Sequence, residues 1–220
     1  MSTPLIVAID GPSGSGKSSV SKGVARSLGL NYLDTGSMYR ALTWLVQNRG
    51  VDVNDSDAII ALISQADVVP STDPANPGIT VDGIDVSEPI RGDNVTRGVS
   101  IVSAVPEVRH QMVDLQRAIA AGSQHGIVVE GRDIGGVVLP HANVKIFLTA
   151  DAQARALRRA AESGASVDAT KEQLLNRDQA DSTRVASPLE IADGAIEVDT
   201  THMSLDEVIS HIVSLASNNV

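Results

Sequence analysis

The chain has 220 residues, a formal charge of −10, no cysteine, and aromatic residues confined to Tyr32, Tyr39, Trp44 and Phe147. Without cysteine there is no disulfide, thiolate zinc site or cysteine nucleophile, and an acidic, aromatic-poor chain offers neither an electrostatic nor a stacking surface to polymeric nucleic acid. The length holds one core with a small appended lobe, and no apolar run nears the roughly 20 residues of a membrane span, so the expectation is a soluble cytoplasmic protein.

Leu5 to Ile9 is a continuous apolar run ending at Asp10, which reads as a buried parallel strand. A glycine-rich turn follows, and from Lys17 to Leu28 the apolar positions recur at helical spacing until Gly29 closes the segment. Tyr32-Leu33 supplies a further short strand.

From about Val68 to Arg91 this rhythm breaks: Pro70, Pro74, Pro77 and Gly78 form a turn-rich stretch, and alternating apolar residues then flank Asp82-Gly83. An Asp-Gly pair in that setting signals a hairpin, placing a small antiparallel β insertion outside the parallel core. Val105 to Ala121 returns to helical spacing.

Buried runs recur at Ile127 to Val129, Val144 to Leu148 and Ala195 to Val198, each separated from the next by helical pattern. Ala150 to Ala161 reads as a helix with Asp151 at its N-cap and carries Arg155, Arg158 and Arg159. A last helix spans Ser204 to Ala216, with Asp206 and Glu207 in its first turn, where the helix dipole favours acids.

The predicted class is therefore α/β: a three-layer sandwich of the P-loop NTPase type, with a five-stranded parallel sheet, an antiparallel insertion and a short helical lid.

Gly11-Pro12-Ser13-Gly14-Ser15-Gly16-Lys17-Ser18 matches G-x-x-x-x-G-K-[ST] and lies between a predicted strand and a predicted helix. In such a loop the backbone N–H groups and the helix N-terminus, here through Ser19, cradle phosphates. Lys17 reaches the β- and γ-phosphates of ATP, and Ser18 ligates Mg2+.

His110, His125, His141, His202 and His211 show no spacing that gathers metal ligands. Only Lys17, Lys22, Lys145 and Lys171 are lysine, the remaining basic positions being arginine, whose planar fork suits bidentate phosphate recognition. No Asn-Lys-x-Asp string for reading guanine occurs, so a kinase with a second, phosphate-bearing substrate fits better than a GTPase.

The segments Leu33-Asp34-Thr35-Gly36-Ser37-Met38-Tyr39-Arg40, Glu130-Gly131-Arg132-Asp133 and Arg177-Asp178-Gln179-Ala180-Asp181-Ser182-Thr183-Arg184, in order after Ile6 to Ser18, resemble the signature segments of the bacterial cytidylate kinases. The resemblance extends over essentially the whole chain, including Val86-Ser87-Glu88-Pro89-Ile90-Arg91.

It implies MgATP-dependent phosphorylation of CMP and dCMP by direct in-line transfer. By position in the family motifs, Arg40, Arg132 and Arg184 hold the monophosphate's phosphate, and Ser100, Arg109 and Asp133 read cytosine. Asp181, Arg177 and Thr35 meet the ribose. Lys17, Arg132 and Arg184 form the catalytic set, and the lid brings Arg158 or Arg159 near the transferring phosphoryl group.

A monomer is implied, with a core at about 1–36, 100–154 and 185–220, a monophosphate-binding insertion at about 37–99 and a lid at about 155–184. The chain departs from many members of the family in carrying Glu130 rather than Asp, which leaves Glu130, Asp34 or water alone to complete the Mg2+ shell. Two alternatives share the P-loop: a kinase for UMP, AMP or another small metabolite, and an ATP-dependent switch that transfers nothing. A switch needs no second set of phosphate-binding arginines.

Overall fold

The computed structural model describes residues 4–184 and 187–218. β1 (Ile6–Asp10), β2 (Asn31–Asp34), β6 (Ile127–Gly131), β7 (Val144–Thr149) and β8 (Ile196–Asp199) form a five-stranded sheet in the order β2-β6-β1-β7-β8. Every adjacent pair in it is parallel. Right-handed crossovers between parallel strands place helices on both faces, and β1 shows the result: Val7 and Ile9 pack into one apolar cluster, Ala8 into the other.

The first cluster joins the sheet to α1 (Lys17–Leu28) and α8 (Leu205–Ser217) through Val20, Val24, Val208 and Ile212. The second joins it to α2 (Thr35–Asn48) and α5 (Pro106–Gly122) through Met38, Leu42, Val108 and Met112. The helix caps agree with the sequence, since Asp151 accepts from Ala154 N–H at the start of α6 (Ala152–Ser163), and Ser204 with Glu207 forms a capping box on α8.

The segment between β2 and α5 holds α3 (Ser56–Ile63), α4 (Asp93–Val102) and a second sheet of β3 (Val68–Pro70), β4 (Ile79–Val81) and β5 (Ile84–Asp85). That sheet is antiparallel, as expected, and turns between β4 and β5 at Asp82 and Gly83, with φ of 51° and 77°. Positive φ at both central residues is the hairpin geometry that matches strand twist.

One expectation is corrected. No α-helix separates β6 from β7; the link contains a short π-helical stretch, Ile134–Val138. The buried carboxylate of Asp10, at the end of β1, accepts from the N–H groups of Ile134 and Gly135, both at 2.8 Å. Polar backbone at the sheet's carboxyl edge is thereby satisfied without a helix.

Candidate active site

The five parallel strands end on one edge, the usual ligand side of such sheets, and the phosphate loop leaves β1 there. Gly11 adopts φ 147°, and a Cβ on it would stand 2.2 Å from the carbonyl oxygen of Leu148, so only glycine lets the loop pass this close to β7. The Lys17 Nζ, buried inside the loop, donates to the Pro12 carbonyl at 2.7 Å and to Ser15 Oγ at 3.4 Å. Burial, with Arg132 nearby, lowers the lysine's affinity for its proton.

Glu130, one residue before the end of β6, lies beside this loop. Its carboxylate accepts from Ser18 Oγ at 3.1 Å and from the Tyr32 hydroxyl, while Thr35 Oγ1 donates to its backbone carbonyl at 2.7 Å. Burial first, then the neighbouring Asp34 charge, pushes this carboxyl up from its usual range. The same burial and the Glu130 charge raise the Tyr32 phenol, which keeps it a hydrogen-bond donor.

A cavity of about 670 Å³ opens from the loop toward α4 and α7 (Val167–Thr183). Thr35, Arg40, Ser100, Arg109, Arg132, Asp133, Arg177, Asp181 and Arg184, all predicted to contact the acceptor, line it. So do Ser13, Gly14, Gly16, Lys17, Ser18 and Ser19 of the loop. Residues more than 160 positions apart in sequence meet here.

At the far end Arg109 and Asp133 form an ion pair with side chains 4% and 7% exposed. The Arg109 guanidinium lies 5.1 Å from the Tyr39 ring centroid, a cation–π geometry, and donates to the Ser103 carbonyl at 3.3 Å. Midway, Arg132 Nε donates to Asp181 Oδ2 at 3.0 Å, and Arg184 approaches the other oxygen of Asp181 at 3.8 Å. Arg40 donates to the Ile90 carbonyl and to Thr96 Oγ1, both at 3.1 Å.

Arg40 and Arg177 are each lowered to about 10, by burial first and then by the arginines around them. They stay charged at neutral pH, with Asp34 offsetting part of the repulsion at Arg40 and Asp181 part of it at Arg177. Arg184 shifts in the same direction, by burial first and then by the Arg109 charge.

A smaller cavity of about 270 Å³ adjoins the loop, with Arg158, Thr200, Met203, Leu205 and Val208 among its walls. Ser15 lines it, whereas Gly14, Gly16, Ser19 and Arg159 border both cavities. The structure separates the two lid arginines that the sequence left as alternatives. Arg158 donates to Thr200 Oγ1 at 3.0 Å and to its carbonyl at 2.6 Å, which holds it in the smaller cavity, away from the acceptor side. Gly11 and Pro12 line neither cavity and shape the loop from behind.

The sequence reading assigned no role to Tyr32, Tyr39, Asp10, Ser103 or Asp178. Arg91 also lines the larger cavity. The one sequence signal available for these was proximity to a motif, which does not tell a lining residue from a supporting one.

A phosphate loop on a parallel sheet, facing a second cavity rich in arginine, defines a P-loop kinase with a phosphate-bearing acceptor. Residues 7–218 match the family described as cytidylate kinase. A protein of Streptomyces avermitilis named cytidylate kinase is 57% identical over 212 residues, covering 96% of this chain and 92% of that one. The protein of that name from Nocardia farcinica is 50% identical over 223 residues, covering 99% and 96%. In fold, the chain is similar to a gluconokinase from Sinorhizobium meliloti, with a TM-score of 0.53 at 15% identity, covering 98% and 93%.

This chain belongs to the cytidylate kinase family. Among the described residues no helix is long and apolar enough to cross a membrane.

Proposed function

We propose that this enzyme transfers the γ-phosphoryl group of ATP to CMP and dCMP by direct in-line displacement, acting as a monomer. The observation that carries this reading is the single cavity in which Lys17 and Ser18 meet Arg40, Arg132 and Arg184 and, beyond them, the buried Arg109–Asp133 pair.

Its 670 Å³ suits a mononucleotide and the terminal phosphates of ATP. The smaller cavity beside the loop takes the ATP base against Met203, Leu205 and Val208.

Asp133 accepts from the exocyclic amine of cytosine while Arg109 donates to the ring nitrogen and carbonyl, with Ser100 at the same end of the cavity. Uracil presents the reversed pattern and leaves buried polar groups unpaired. Asp181, Arg177 and Thr35 hold the ribose side. Arg40, Arg132 and Arg184 orient the acceptor phosphate, whose oxygen is already anionic, so no general base is needed. The transition state spreads charge over the transferring group. Lys17, Arg132, Arg184 and, from the lid, Arg159 stand where that charge develops, whereas Arg158 serves the donor end.

The residues present fit Mg2+, which binds through one or two protein oxygens plus water and substrate phosphates. Ser18 Oγ lies 3.1 Å from a Glu130 carboxylate oxygen, and no cluster of three or more His, Asp, Glu or Cys competes for a metal among the described residues. Ser18 would hold the ion directly, with Glu130 and Asp34 supplying negative charge beside it. When bound, the ion would supply positive charge that offsets the negative charge of the donor phosphates.

The test is ADP release from MgATP with CMP, dCMP, UMP and AMP supplied separately. Release confined to the cytidine nucleotides is expected. Tight ATP binding with no monophosphate-dependent release would instead favour the switch.

A further inference from the structure

Ser13, at the tip of the phosphate loop, is held on three atoms by the α6–α7 hairpin. Its N–H donates to Asp178 Oδ1 at 3.2 Å, its carbonyl accepts from Arg155 at 2.9 Å, and its hydroxyl accepts from Arg177 at 3.3 Å. Arg155 and Asp178 are themselves paired at 2.5 Å, with side chains 8% and 17% exposed. The hairpin also lies directly on the loop: a Cβ on Gly14 would come within 3.2 Å of Arg155 Cβ and 3.3 Å of Leu174 Cδ1.

The C-terminal turns of α7 thus serve both substrates' sites. Asp178 and Arg177 hold Ser13 of the donor loop, while Arg177, Asp181 and, just past the helix, Arg184 line the acceptor cavity. Residues three or four apart on a helix move together as a rigid unit.

We propose that Asp178, clamped by Arg155, is a positioning residue that couples acceptor binding to the shape of the donor loop. This rests on the acceptor site assigned above. An acceptor whose phosphate is drawn between Arg40, Arg132 and Arg184 and whose ribose meets Arg177 and Asp181 seats α7. The seated helix fixes Ser13 through the Asp178 carboxylate, and the loop then presents its N–H groups to ATP in one arrangement. By reciprocity, ATP tightens CMP binding by the same factor.

The experiment is calorimetric titration of a non-hydrolysable ATP analogue with and without saturating CMP, and of CMP with and without the analogue, on the full chain. The unsubstituted enzyme is expected to show coupling of roughly 5-fold or more, within the usual range for linked sites. In Asp178→Ala and in Arg155→Met the ratio should fall to about 1–2. The analogue's affinity with CMP present then drops to its value without CMP, and the stand-alone affinities change little. Asp178→Glu should restore part of the ratio.

A purely structural role would weaken both ligands and leave their ratio unchanged, so a wild-type ratio in the folded variants overturns the proposal. So does a ratio near 1 in the unsubstituted enzyme. Should Asp178→Ala melt below the assay temperature, Arg155→Met alone decides between these outcomes. If CMP binds neither with nor without the analogue, the acceptor assignment fails and this proposal falls with it.

Discussion

Replacing Asp133 by Asn changes the chemistry of the base-reading end without changing its volume. The carboxamide oxygen can still accept from Arg109, but its amino group now donates where the cytosine amine also donates. The lost bond is charge-assisted and buried, since Asp133 is 7% exposed and paired with an Arg109 that is 4% exposed. Such bonds contribute about 1.5–3 kcal/mol, so kcat/KM for CMP should fall roughly 10- to 100-fold at 1.4 kcal/mol per decade.

UMP, whose exocyclic O4 carbonyl accepts where the cytosine amine donates, should hold or gain, and the CMP:UMP ratio should drop at least about tenfold. Coupled ADP release on both substrates measures it. A folded Asp133→Asn enzyme whose ratio stays within about threefold of the parent would remove Asp133 from base recognition. The Ala variant separates recognition from stability. It leaves the Arg109 guanidinium buried and unpaired, a loss of about 3–5 kcal/mol, or roughly 6–20 °C in Tm for a chain of this size.

Four further outcomes are expected. If Arg184 serves the transferring phosphoryl group as proposed, Arg184→Ala should lower kcat by orders of magnitude; the loss of its bonds to the Ser187 carbonyl is read separately as a change in melting temperature. Lys17→Met should cut kcat roughly 100-fold or more while CMP binding, by calorimetry, persists. Gly11→Ala should abolish ATP binding and lower Tm, since its Cβ would overlap the Leu148 carbonyl at 2.2 Å; a thermal shift with and without ATP reads both.

Asp10, raised by burial from 3.8 to about 6, binds its proton more tightly folded than unfolded. Its contribution is full below pH 4 and is lost as pH rises toward 6, on the order of 3 kcal/mol in all. Urea midpoints across that range should therefore decline in the parent relative to Asp10→Asn, and parallel curves would refute the assignment.

What the sequence made legible was local or carried by spacing. The phosphate loop needs only eight consecutive residues and a strand before it, and the insertion announced itself through Asp82-Gly83 between alternating apolar residues. The parallel strands were visible as short apolar runs, with ends off by one or two residues. Contacts between distant segments were not legible.

Nothing in the string near Tyr32 points to Glu130, 98 positions on, and nothing near Asp178 points to Ser13, 165 positions back. At helical spacing Asp178 looks like a solvated surface acid. The two lid arginines illustrate the same limit: neighbours on α6, they point about 100° apart, and the string does not say which direction meets Thr200, just past β8, where Arg158 is held, and which borders both cavities, as Arg159 does. The short link after Asp133 shows no helix-or-link signal in the string, because the Asp10 carboxylate that accepts from Ile134 and Gly135 N–H comes from β1, more than 120 positions back.

The acidity of the whole chain and the basicity of its site are reconciled by distance. At physiological ionic strength charges are screened over about 8 Å, so the surface acids that make the net charge −10 scarcely reach the cavity. Within it, Lys17, Arg40, Arg91, Arg109, Arg132, Arg159, Arg177 and Arg184 face Asp34, Asp93, Glu130, Asp133 and Asp181.

Those acids are placed unevenly. Asp133 sits on Arg109 at the base end, Glu130 on Ser18 at the metal end, and Asp181 between Arg132 and Arg184. On the function proposed above, the transferring phosphoryl group, negative at every stage, passes between Lys17 and Arg132. The carboxylates then do two things: Asp133 and Asp181 orient the arginines beside them, and their placement away from that line leaves the positive field strongest along it.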